Sequence, residues 1–516
     1  MPLKALKSET TWFLAALAII ILVSFFLGLG SAPLFDVDEG AFSEATREMI
    51  ASKNYLTTYL NGAPRFDKPI LIYWFQALSV TGFGLSEFAF RLPSAIAGTV
   101  WAVSIFLFVR KEIGNNLQAF LAAAMMVLSL QVIVIAKAAI ADGLLNCLLA
   151  IAMLAIYRHY STGSKKALHL AFAAAGFGML TKGPIAIIIP FAVTFLFSLQ
   201  ERSLKTWLRM IFNPLGIALF LGIALPWYLL EYQDQGMAFI EGFFFKHNIS
   251  RFNTSFEGHS GSLFYYIPVI ILGLMPFTGL FFTVLFNLKR LFSDRLNRFL
   301  LIWFAFVFFF FSLSGTKLPH YMIYGYTPLF ILMSRALPMS KHPERFVVWP
   351  MLVLLLFAAI PFLLPTAMQQ VSDGYIQAVL TAATGLFGKS YLFVIMTAAV
   401  ALSAIQFIPR FSLASKLIAF GAVFSFLINI YLMPLAGKLL QEPVKEAALF
   451  AKKEGYKIVM WKVYYPSFLV YSESFVEKRT PEPGEIVLTT VKEIDQPGKS
   501  AILYSKYGIV LFKLMQ

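Results

Sequence analysis

The feature of this sequence that most restricts its fold is a series of apolar segments, each about as long as a membrane is thick. A helix needs roughly 20 apolar residues to cross the hydrocarbon core of a bilayer. The segments that meet this requirement clearly are 12–29, 88–109, 117–135, 211–229, 263–287, 297–314, 319–337, 346–365, 390–408 and 416–435. Three less clear segments are 143–158, 168–181 and 184–199. We therefore predict an all-α polytopic membrane protein with about 13 transmembrane helices.

Composition supports this class and excludes others. Of the 516 residues, 59% are hydrophobic and 13% are charged, whereas a soluble domain is about 25% charged. A soluble globular enzyme and a disordered chain are therefore excluded. The single cysteine, Cys147, excludes an internal disulfide and a cysteine metal cluster.

The net charge of +15 is explained by its distribution along the chain. Short basic connections alternate with loops that hold few positive charges, which is the positive-inside pattern of membrane proteins. The basic residues of these connections are Lys4, Lys7, Arg110, Lys111, Arg158, Lys165, Lys166, Arg202, Lys205, Arg209, Lys289, Arg290, Arg295, Arg298, Arg335, Lys341, Arg345, Arg410 and Lys416. We predict a cytoplasmic N-terminus, an outside C-terminus and no nucleic-acid partner.

The opposite face carries the longer loops. They cover residues 31–87, 230–262 and 371–389, and a tail follows residue 435. Most acidic residues lie on this face, as do His247, His259 and His320. We therefore expect the function to reside on the outer face.

The tail predicts a second, smaller domain. We divide the chain into a transmembrane domain, 1–435, and an α/β unit, 436–516. Apolar spacing predicts a helix over Pro443–Glu454. Short β-branched and aromatic runs predict strands at Tyr456–Trp461, Glu485–Thr490, Ala501–Tyr504 and Ile509–Phe512.

The first outer loop opens with three carboxylates, Asp36, Asp38 and Glu39. Asp38 is a suitable N-cap for a helix that starts near Glu39, with Phe42, Ala45 and Met49 as its apolar stripe. Helix capping plus a solvated acidic turn would explain these acids. However, unpaired charge is costly at a membrane surface, which favours a functional interpretation.

Further along the same loop, Lys68 precedes Pro69 and an aromatic-rich segment, 69–83. This segment is typical of an interfacial helix. Lys68 could extend its side chain to the headgroup region as an ordinary anchor, or it could bind a phosphate there. The local sequence leaves both interpretations open.

An ordered set of motifs resembles one enzyme family. The loop reads DVDEGAFSEATREM, then RFDKPILIYW, then RLPSA. It is similar to the first outer loop of GT-C glycosyltransferases of the protein O-mannosyltransferase and lipid A aminoarabinose transferase type. Further similar motifs follow in the same order at Ala139–Asp142, Leu180–Pro184, His247–Phe252, Tyr265–Pro268 and Ser314–Tyr321. The predicted spans and the outside tail also fit that family.

The resemblance implies an inverting membrane glycosyltransferase. Its donor would be a sugar carried on a polyprenyl phosphate such as undecaprenyl phosphate, with no tightly bound cofactor. Its acceptor would be lipid A, another glycan or a protein, on the periplasmic side of a bacterial inner membrane. The chain is expected to act as a monomer. The sequence leaves the sugar and the acceptor open.

The resemblance also assigns residues. It implies catalytic roles for Asp38 and Asp142, with Asp36 and Glu39 as further acidic candidates. The implied ligands of the donor phosphate are Lys68, Arg251 and Lys317; other site candidates are Tyr73, Lys182, His247, His320 and Tyr321.

A metal site is the less favoured possibility. His247 resembles a histidine that takes part in a metal site in the family, and Asp67 and His259 could join it. A complete zinc site usually needs three or four ligands, and the tail has no histidine after His342. We therefore predict no metal and a hydrogen-bonded structural His247.

Two other classes compete with the transferase. A transporter or flippase for lipids or small molecules should show ionisable groups in mid-membrane and paired, broken half-helices. Here the acidic residues avoid the centres of the spans, and no internal repeat is visible. An O-antigen ligase or oligosaccharide transferase would share the architecture but use another donor.

Overall fold

The structure is a computed structural model that describes residues 3–250, 261–494, 496 and 500–515. Helices form nearly all of it up to residue 454, and a mixed five-stranded sheet completes the chain. The predicted class, a mostly helical multi-pass membrane protein with a C-terminal α/β unit, is confirmed.

The α-helices account for the predicted apolar segments and for several loops. Their bounds are Leu3–Ile21, Asp38–Ser52, Leu71–Phe83, Glu87–Ile113, Asn116–Val127, Leu130–Lys137, Asp142–Thr162, Lys165–Lys182, Ile185–Gln200, Leu204–Ile211, Pro214–Gln235, Met237–Phe239, Tyr266–Gly273, Thr278–Phe286, Leu288–Leu291, Arg295–Leu313, Tyr326–Ala336, Val348–Gln370, Gly374–Leu386, Lys389–Phe407, Leu413–Leu427, Met433–Leu440, Glu442–Glu454 and Pro466–Ser472. π-Helical segments occupy Leu22–Phe26, Ile240–Ser250 and Ile428–Leu432, and 3₁₀ segments occupy Pro319–Gly325, Leu337–Met339, Pro343–Val347 and Val491–Glu493.

When spans are counted by helix length and apolar composition, the structure has fewer of them than we predict. Among the described residues, seven helices are long and apolar enough to cross a membrane, or nine if each of two bent pairs counts as one span. The other predicted spans, 12–29, 168–181, 184–199 and 319–337, correspond to shorter or irregular helices. The figure of 13 therefore stays a prediction.

Two predicted spans are broken. The prediction of one helix over 263–287 is wrong, because Tyr266–Gly273 and Thr278–Phe286 are bent by 120°. Pro276 lies in this break and has no N–H to continue a helix. The second pair, Asn116–Val127 and Leu130–Lys137, is bent by 66°. The two breaks contact each other, since the Leu130 N–H donates to the Met275 carbonyl at 2.9 Å.

The predicted span 319–337 is also irregular. Its first part, Pro319–Gly325, is a 3₁₀ segment, and the α-helix begins only at Tyr326. In addition, the predicted outer loop 371–389 contains the helix Gly374–Leu386. Asp373 caps this helix by accepting hydrogen bonds from the Tyr375 and Ile376 N–H groups.

The first outer loop folds into two helices. The helix that follows the acidic residues begins at Asp38 itself and has no side-chain cap, so the predicted capping role of Asp38 is wrong. Its predicted apolar stripe, Phe42, Ala45 and Met49, is buried as expected. The predicted interfacial segment forms the helix Leu71–Phe83.

The strands agree with the predicted tail. A small hairpin in the first loop pairs β1 (Tyr59–Leu60) with β2 (Ala63–Pro64). The tail contains β3 (Ile458–Met460), β4 (Glu477–Lys478), β5 (Ile486–Thr490), β6 (Ser500–Lys506) and β7 (Ile509–Leu514). Their order is β4-β3-β5-β7-β6, with parallel pairs around β3 and antiparallel pairs around β7. Glu442–Glu454 packs its buried Val444, Ala447 and Ala448 in the same core as β3 and β5.

A buried lysine ties the first and last transmembrane regions together. The Lys137 ammonium donates to the Leu27 carbonyl at 2.6 Å and to the Asn429 side-chain oxygen at 2.8 Å. The Asn429 amide in turn donates to the carbonyls of Val23 and Ser24. Both ends of this network lie at π-helical segments, where the regular helical bonding is interrupted.

Candidate active site

Glu39 is the most heavily bonded of the three carboxylates in the acidic turn, residues 34–40. Its oxygens accept both arms of the Arg91 guanidinium at 2.8 and 2.7 Å. They also accept the backbone N–H groups of Ala139 and Phe35 at 2.7 and 2.9 Å. Because the carboxylate is buried and fully engaged, this arrangement favours a structural role over the predicted catalytic one.

Asp36 is bonded to the C-terminal unit. Its carboxylate accepts the Ser467 N–H at 2.8 Å and the Ser467 hydroxyl. Burial raises the pKa of Asp36 to about 7, although the bonds from Ser467 oppose the rise. Asp36 thus faces the tail, and its predicted role as an additional catalytic acid beside Asp38 stays a prediction.

Asp38 is the acid that remains open. It is exposed and has neither a hydrogen bond nor an ion pair within the part of the chain that the structure describes. It lies close enough to His320 for their charges to interact, as do Asp142, Lys182 and Lys68. The structure therefore brings Asp38 and Asp142 to the same histidine, although 104 residues separate them along the chain.

A cavity of about 460 Å³ lies beside these groups. One part of its wall is polar and carries Asp67, Lys68, Lys182 and His247. The other part is aliphatic and aromatic: Pro184, Ile185, Ile188, Phe244, Ile249, Phe310 and Phe311. Asn248, Ser314, Tyr321 and Tyr324 complete the lining. The cavity is therefore amphiphilic, because two lysines and a series of apolar side chains line the same space.

Asp142 lies behind Lys182. Its Oδ1 atom accepts the Lys182 ammonium at 2.6 Å and the Tyr324 hydroxyl at 2.7 Å, and the His320 ring nitrogen is 3.8 Å away. The same ammonium lies 5.3 Å from the centre of the Tyr321 ring and 5.6 Å from that of Tyr324. Asp142, buried itself, holds Lys182 at the cavity wall.

Lys68 presents the second cation. Its ammonium donates to the Asp67 carbonyl at 2.8 Å and lies 3.8 Å from the Asp67 carboxylate. That carboxylate accepts two bonds from Arg65, at 2.5 and 2.8 Å. Burial alone would raise the pKa of Asp67, but the charges of Arg65 and Lys68 hold it well below its usual range.

Of the remaining predicted residues, Lys317 and Tyr73 are not part of the cavity lining. Lys317 is buried and donates to the Ser314 carbonyl at 2.6 Å. Tyr73 is buried, stacks on Phe42 with ring centres 5.3 Å apart, and has no hydrogen-bond partner for its hydroxyl among the described residues. Arg251 lies outside the described residues.

The candidate metal ligands do not form a recognisable site in the described residues. No group of three or more His, Cys, Asp or Glu side chains there could hold a metal ion. Asp67 is engaged by Arg65, His247 lines the cavity, and His259 lies outside the described residues.

Two residues of the site were missed by the sequence analysis. Arg65 fixes Asp67 and lies over the Phe42 ring at 5.0 Å. Tyr324 binds Asp142 and lines the cavity. Both stand within a few residues of predicted positions, so the motifs around Lys68 and Tyr321 contained the only signal for them.

Comparison with known proteins shows which proteins this chain resembles. Residues 67–229 match the family model described as dolichyl-phosphate-mannose-protein mannosyltransferase. Undecaprenyl phosphate-alpha-4-amino-4-deoxy-L-arabinose arabinosyl transferases from Aeromonas hydrophila and Yersinia enterocolitica are 31% and 30% identical over 332 and 328 residues. The resemblance predicted from the sequence is confirmed. These alignments cover 63% and 62% of this chain, but the chain spans only 59% and 58% of the relatives' length.

Solved structures show the same fold. The crystal structure of ArnT from Cupriavidus metallidurans bound to undecaprenyl phosphate has a TM-score of 0.81 and 18% sequence identity, with 98% of both chains covered. The apo structure of that protein has a TM-score of 0.79 and 19% identity. The architecture, including the C-terminal unit, is therefore that of ArnT.

We expect Glu39→Gln to lower the thermal stability of the protein strongly. It would leave the buried Arg91 guanidinium without its counter-charge, and breaking a buried pair typically costs about 3–5 kcal/mol. The measurement is the unfolding temperature of the detergent-solubilised protein. The matched control is Glu477→Gln, which removes one of the two carboxylate partners of the exposed Arg479 and should cost about 0–1 kcal/mol. Equal effects of the two substitutions would contradict the structural role of Glu39.

Proposed function

We propose that this protein is a membrane glycosyltransferase. It moves a sugar from a polyprenyl-phosphate donor to a lipid, glycan or protein acceptor at the outer face of the inner membrane. The observation that carries this proposal is the amphiphilic cavity, which two lysines line together with aliphatic and aromatic side chains. The relatives that match this chain are named as transferases that use such a donor.

The cavity suits a lipid phosphate better than a soluble nucleotide sugar. A phosphate needs cationic ligands, which Lys68 and Lys182 supply. An isoprenoid chain needs a dry, apolar wall, which Ile185, Ile188 and Phe310 supply beside them. ArnT from Cupriavidus metallidurans, which shares this fold, was crystallised with undecaprenyl phosphate. We assign undecaprenyl phosphate as the carrier in this protein too.

The positions of the charged groups support direct, inverting transfer. An acceptor hydroxyl would attack the anomeric carbon from the face opposite the phosphate, while the sugar–phosphate C–O bond breaks and its electron pair stays on the phosphate. Asp38, the open carboxylate, takes the hydroxyl proton. The phosphate gains negative charge as it leaves, and Lys68 and Lys182 stabilise that charge.

Asp142 acts in this scheme through Lys182. Its oxygen is bonded to the ammonium and to the Tyr324 hydroxyl, so it fixes the direction in which the cation points. We therefore propose a positioning role for Asp142 rather than direct proton transfer. Tyr321, whose ring faces Lys182, and His320, whose charge interacts with those of Asp142 and Asp38, complete the polar part of the site.

The sugar and the acceptor are best sought among the substrates of the relatives. The arabinosyl transferases carry 4-amino-4-deoxy-L-arabinose in their names, so that sugar is the first donor to test, with lipid A as the first acceptor. Mass spectrometry of total lipids and surface polysaccharide from a deletion strain should reveal one lost sugar. No difference from the parent strain in any glycan would contradict the proposed function.

The topology follows from the charge distribution and is supported by one contact. We place the chain in the bacterial inner membrane with its N-terminus in the cytoplasm and its tail in the periplasm. The acidic turn of the first outer loop bonds directly to Ser467 of the tail, which requires both to lie on one side of the membrane.

A reporter fusion tests this orientation. We expect alkaline phosphatase, which is active only in the periplasm, to be active when fused after Gln516 and inactive when fused after Ser340. The reason is the alternation of basic connections. The reverse result would place the acidic turn and the cavity on the cytoplasmic side and would remove the proposed site.

We expect Lys68→Met to abolish most sugar transfer. A lysine that only anchors a helix at the headgroups would lose little on neutralisation, whereas a phosphate ligand in a buried cleft cannot be replaced by a thioether. The measurements are transfer rate and undecaprenyl phosphate affinity at matched expression. The control is Lys389→Met, because Lys389 is the exposed first residue of the helix Lys389–Phe407. This variant should retain both the transfer rate and the affinity for undecaprenyl phosphate. Full activity of Lys68→Met would leave Lys68 as a surface anchor.

We expect Asp38→Asn to reduce turnover by about 10²–10⁴-fold, the usual contribution of a general base, without loss of undecaprenyl phosphate binding. Asp142→Asn should reduce both turnover and phosphate affinity, because it loosens Lys182. The two variants therefore separate proton transfer from phosphate binding. Retained turnover in Asp38→Asn would exclude the open carboxylate as the base.

A further inference from the structure

The contact between the C-terminal unit and the acidic turn reaches the backbone next to Asp38. Ser467 is buried, and both its N–H group and its hydroxyl donate to the Asp36 carboxylate. Asp36 lies two residues before Asp38. On the other side of Asp38, Glu39 is fixed by Arg91. The open carboxylate thus projects from a short piece of backbone that is anchored on both sides.

Gly40 shows how closely the two units approach. A Cβ atom at this position would collide with the Asp36 carboxylate and lie 2.5 Å from the Ser467 nitrogen and 3.1 Å from the Pro466 carbonyl carbon. Any residue other than glycine would therefore push the helix Pro466–Ser472 away from the turn. The close approach is what lets the Ser467 backbone reach Asp36.

The same tail helix holds the start of the turn. The Tyr471 hydroxyl accepts the Leu34 N–H at 2.8 Å and lies 3.0 Å from the Glu87 carboxylate. Glu87 is paired with Lys445 of the tail at 2.5 Å. The tail therefore supports the turn at two positions, through Ser467 and through Tyr471, in addition to packing against it.

We propose that Ser467 is a positioning residue for sugar transfer, which acts through Asp36 to fix the backbone that carries Asp38. This inference rests on the proposed function and gives the C-terminal unit a part in the reaction. The tail supplies no group to the substrate in this scheme. It supplies the rigidity that holds the Asp38 carboxylate in reach of the acceptor.

A second contact between the same two units provides a matched control. Asn61, in the hairpin of the first loop, exchanges two hydrogen bonds with the Val476 backbone at 2.7 and 3.0 Å. This contact attaches the tail but does not involve the acidic turn. Asn61 has a φ of +55°, a conformation that glycine adopts without strain, so Asn61→Gly removes the contact without disturbing the backbone.

The kinetic test compares Ser467→Ala with Asn61→Gly. We expect Ser467→Ala to lower kcat by about 10–100-fold, since small misplacements of a catalytic group have effects of this size, with undecaprenyl phosphate affinity unchanged. Asn61→Gly should retain kcat even if its unfolding temperature falls. Combining Ser467→Ala with Asp36→Asn should add little to the loss, because both act on one contact. An unchanged kcat in Ser467→Ala, or an equal loss in Asn61→Gly, would overturn the proposal.

Hydrogen exchange separates this inference from the proposed function. Backbone amides of residues 34–41 should exchange faster in Ser467→Ala than in the wild type, and at the wild-type rate in Asn61→Gly. If the wild type transfers no sugar, the proposed function fails, yet this comparison still decides whether Ser467 fixes the turn. Unchanged exchange in Ser467→Ala would refute the positioning role independently of any activity.

Discussion

The site depends on the ion pair between Arg91 and Glu39, in which two guanidinium nitrogens donate to the carboxylate. Besides the carboxylate, the guanidinium binds the carbonyls of Leu29, Ala32 and Pro33, which lie where the chain leaves its first helical region. Glu39 also binds the Ala139 N–H, three residues before Asp142. One ion pair therefore joins the end of the first helical region, the acidic turn, the helix Glu87–Ile113 and the approach to Asp142. In a low-dielectric setting such a pair is stable only with all of its hydrogen bonds made, so these four segments must assemble together.

The acidic turn divides its carboxylates between structure and chemistry. Glu39 is neutralised by Arg91, and Asp36 is bonded to Ser467. Between them, Asp38 has no partner in the described part of the chain. A carboxylate that is to accept a proton must keep an accessible lone pair, while its backbone must not move. The four residues 36–39 meet both requirements, because bonded Asp36 and Glu39 fix the backbone while Asp38 keeps an accessible lone pair.

Apolar length and charge alternation predicted the membrane class, and β-branched runs predicted the tail, because these signals are local. The 120° break around Pro276 and the 3₁₀ segment Pro319–Gly325 were not predicted, since hydropathy averages over the residues that interrupt a helix. The local sequence pattern also could not distinguish the roles of the three acids in the acidic turn. Asp36 and Glu39 look equivalent to Asp38 in the sequence, and the residues that distinguish them, Ser467 and Arg91, stand 431 and 52 positions away.

The charged side chains in the polar part of the cavity are also held by specific partners. Lys68 and Lys182 line the cavity. Asp142 is paired with Lys182, and Asp67 is shared between Arg65 and Lys68. A sugar–phosphate diester carries one negative charge, which Lys68 and Lys182 would face on binding. When the sugar leaves, the phosphate acquires further charge, and Lys182 is already aimed at the cavity by Asp142 and the faces of Tyr321 and Tyr324. In the proposed reaction, this arrangement stabilises the charge that develops on the phosphate in the transition state more than the charge of the bound donor, which is the condition for accelerating the transfer.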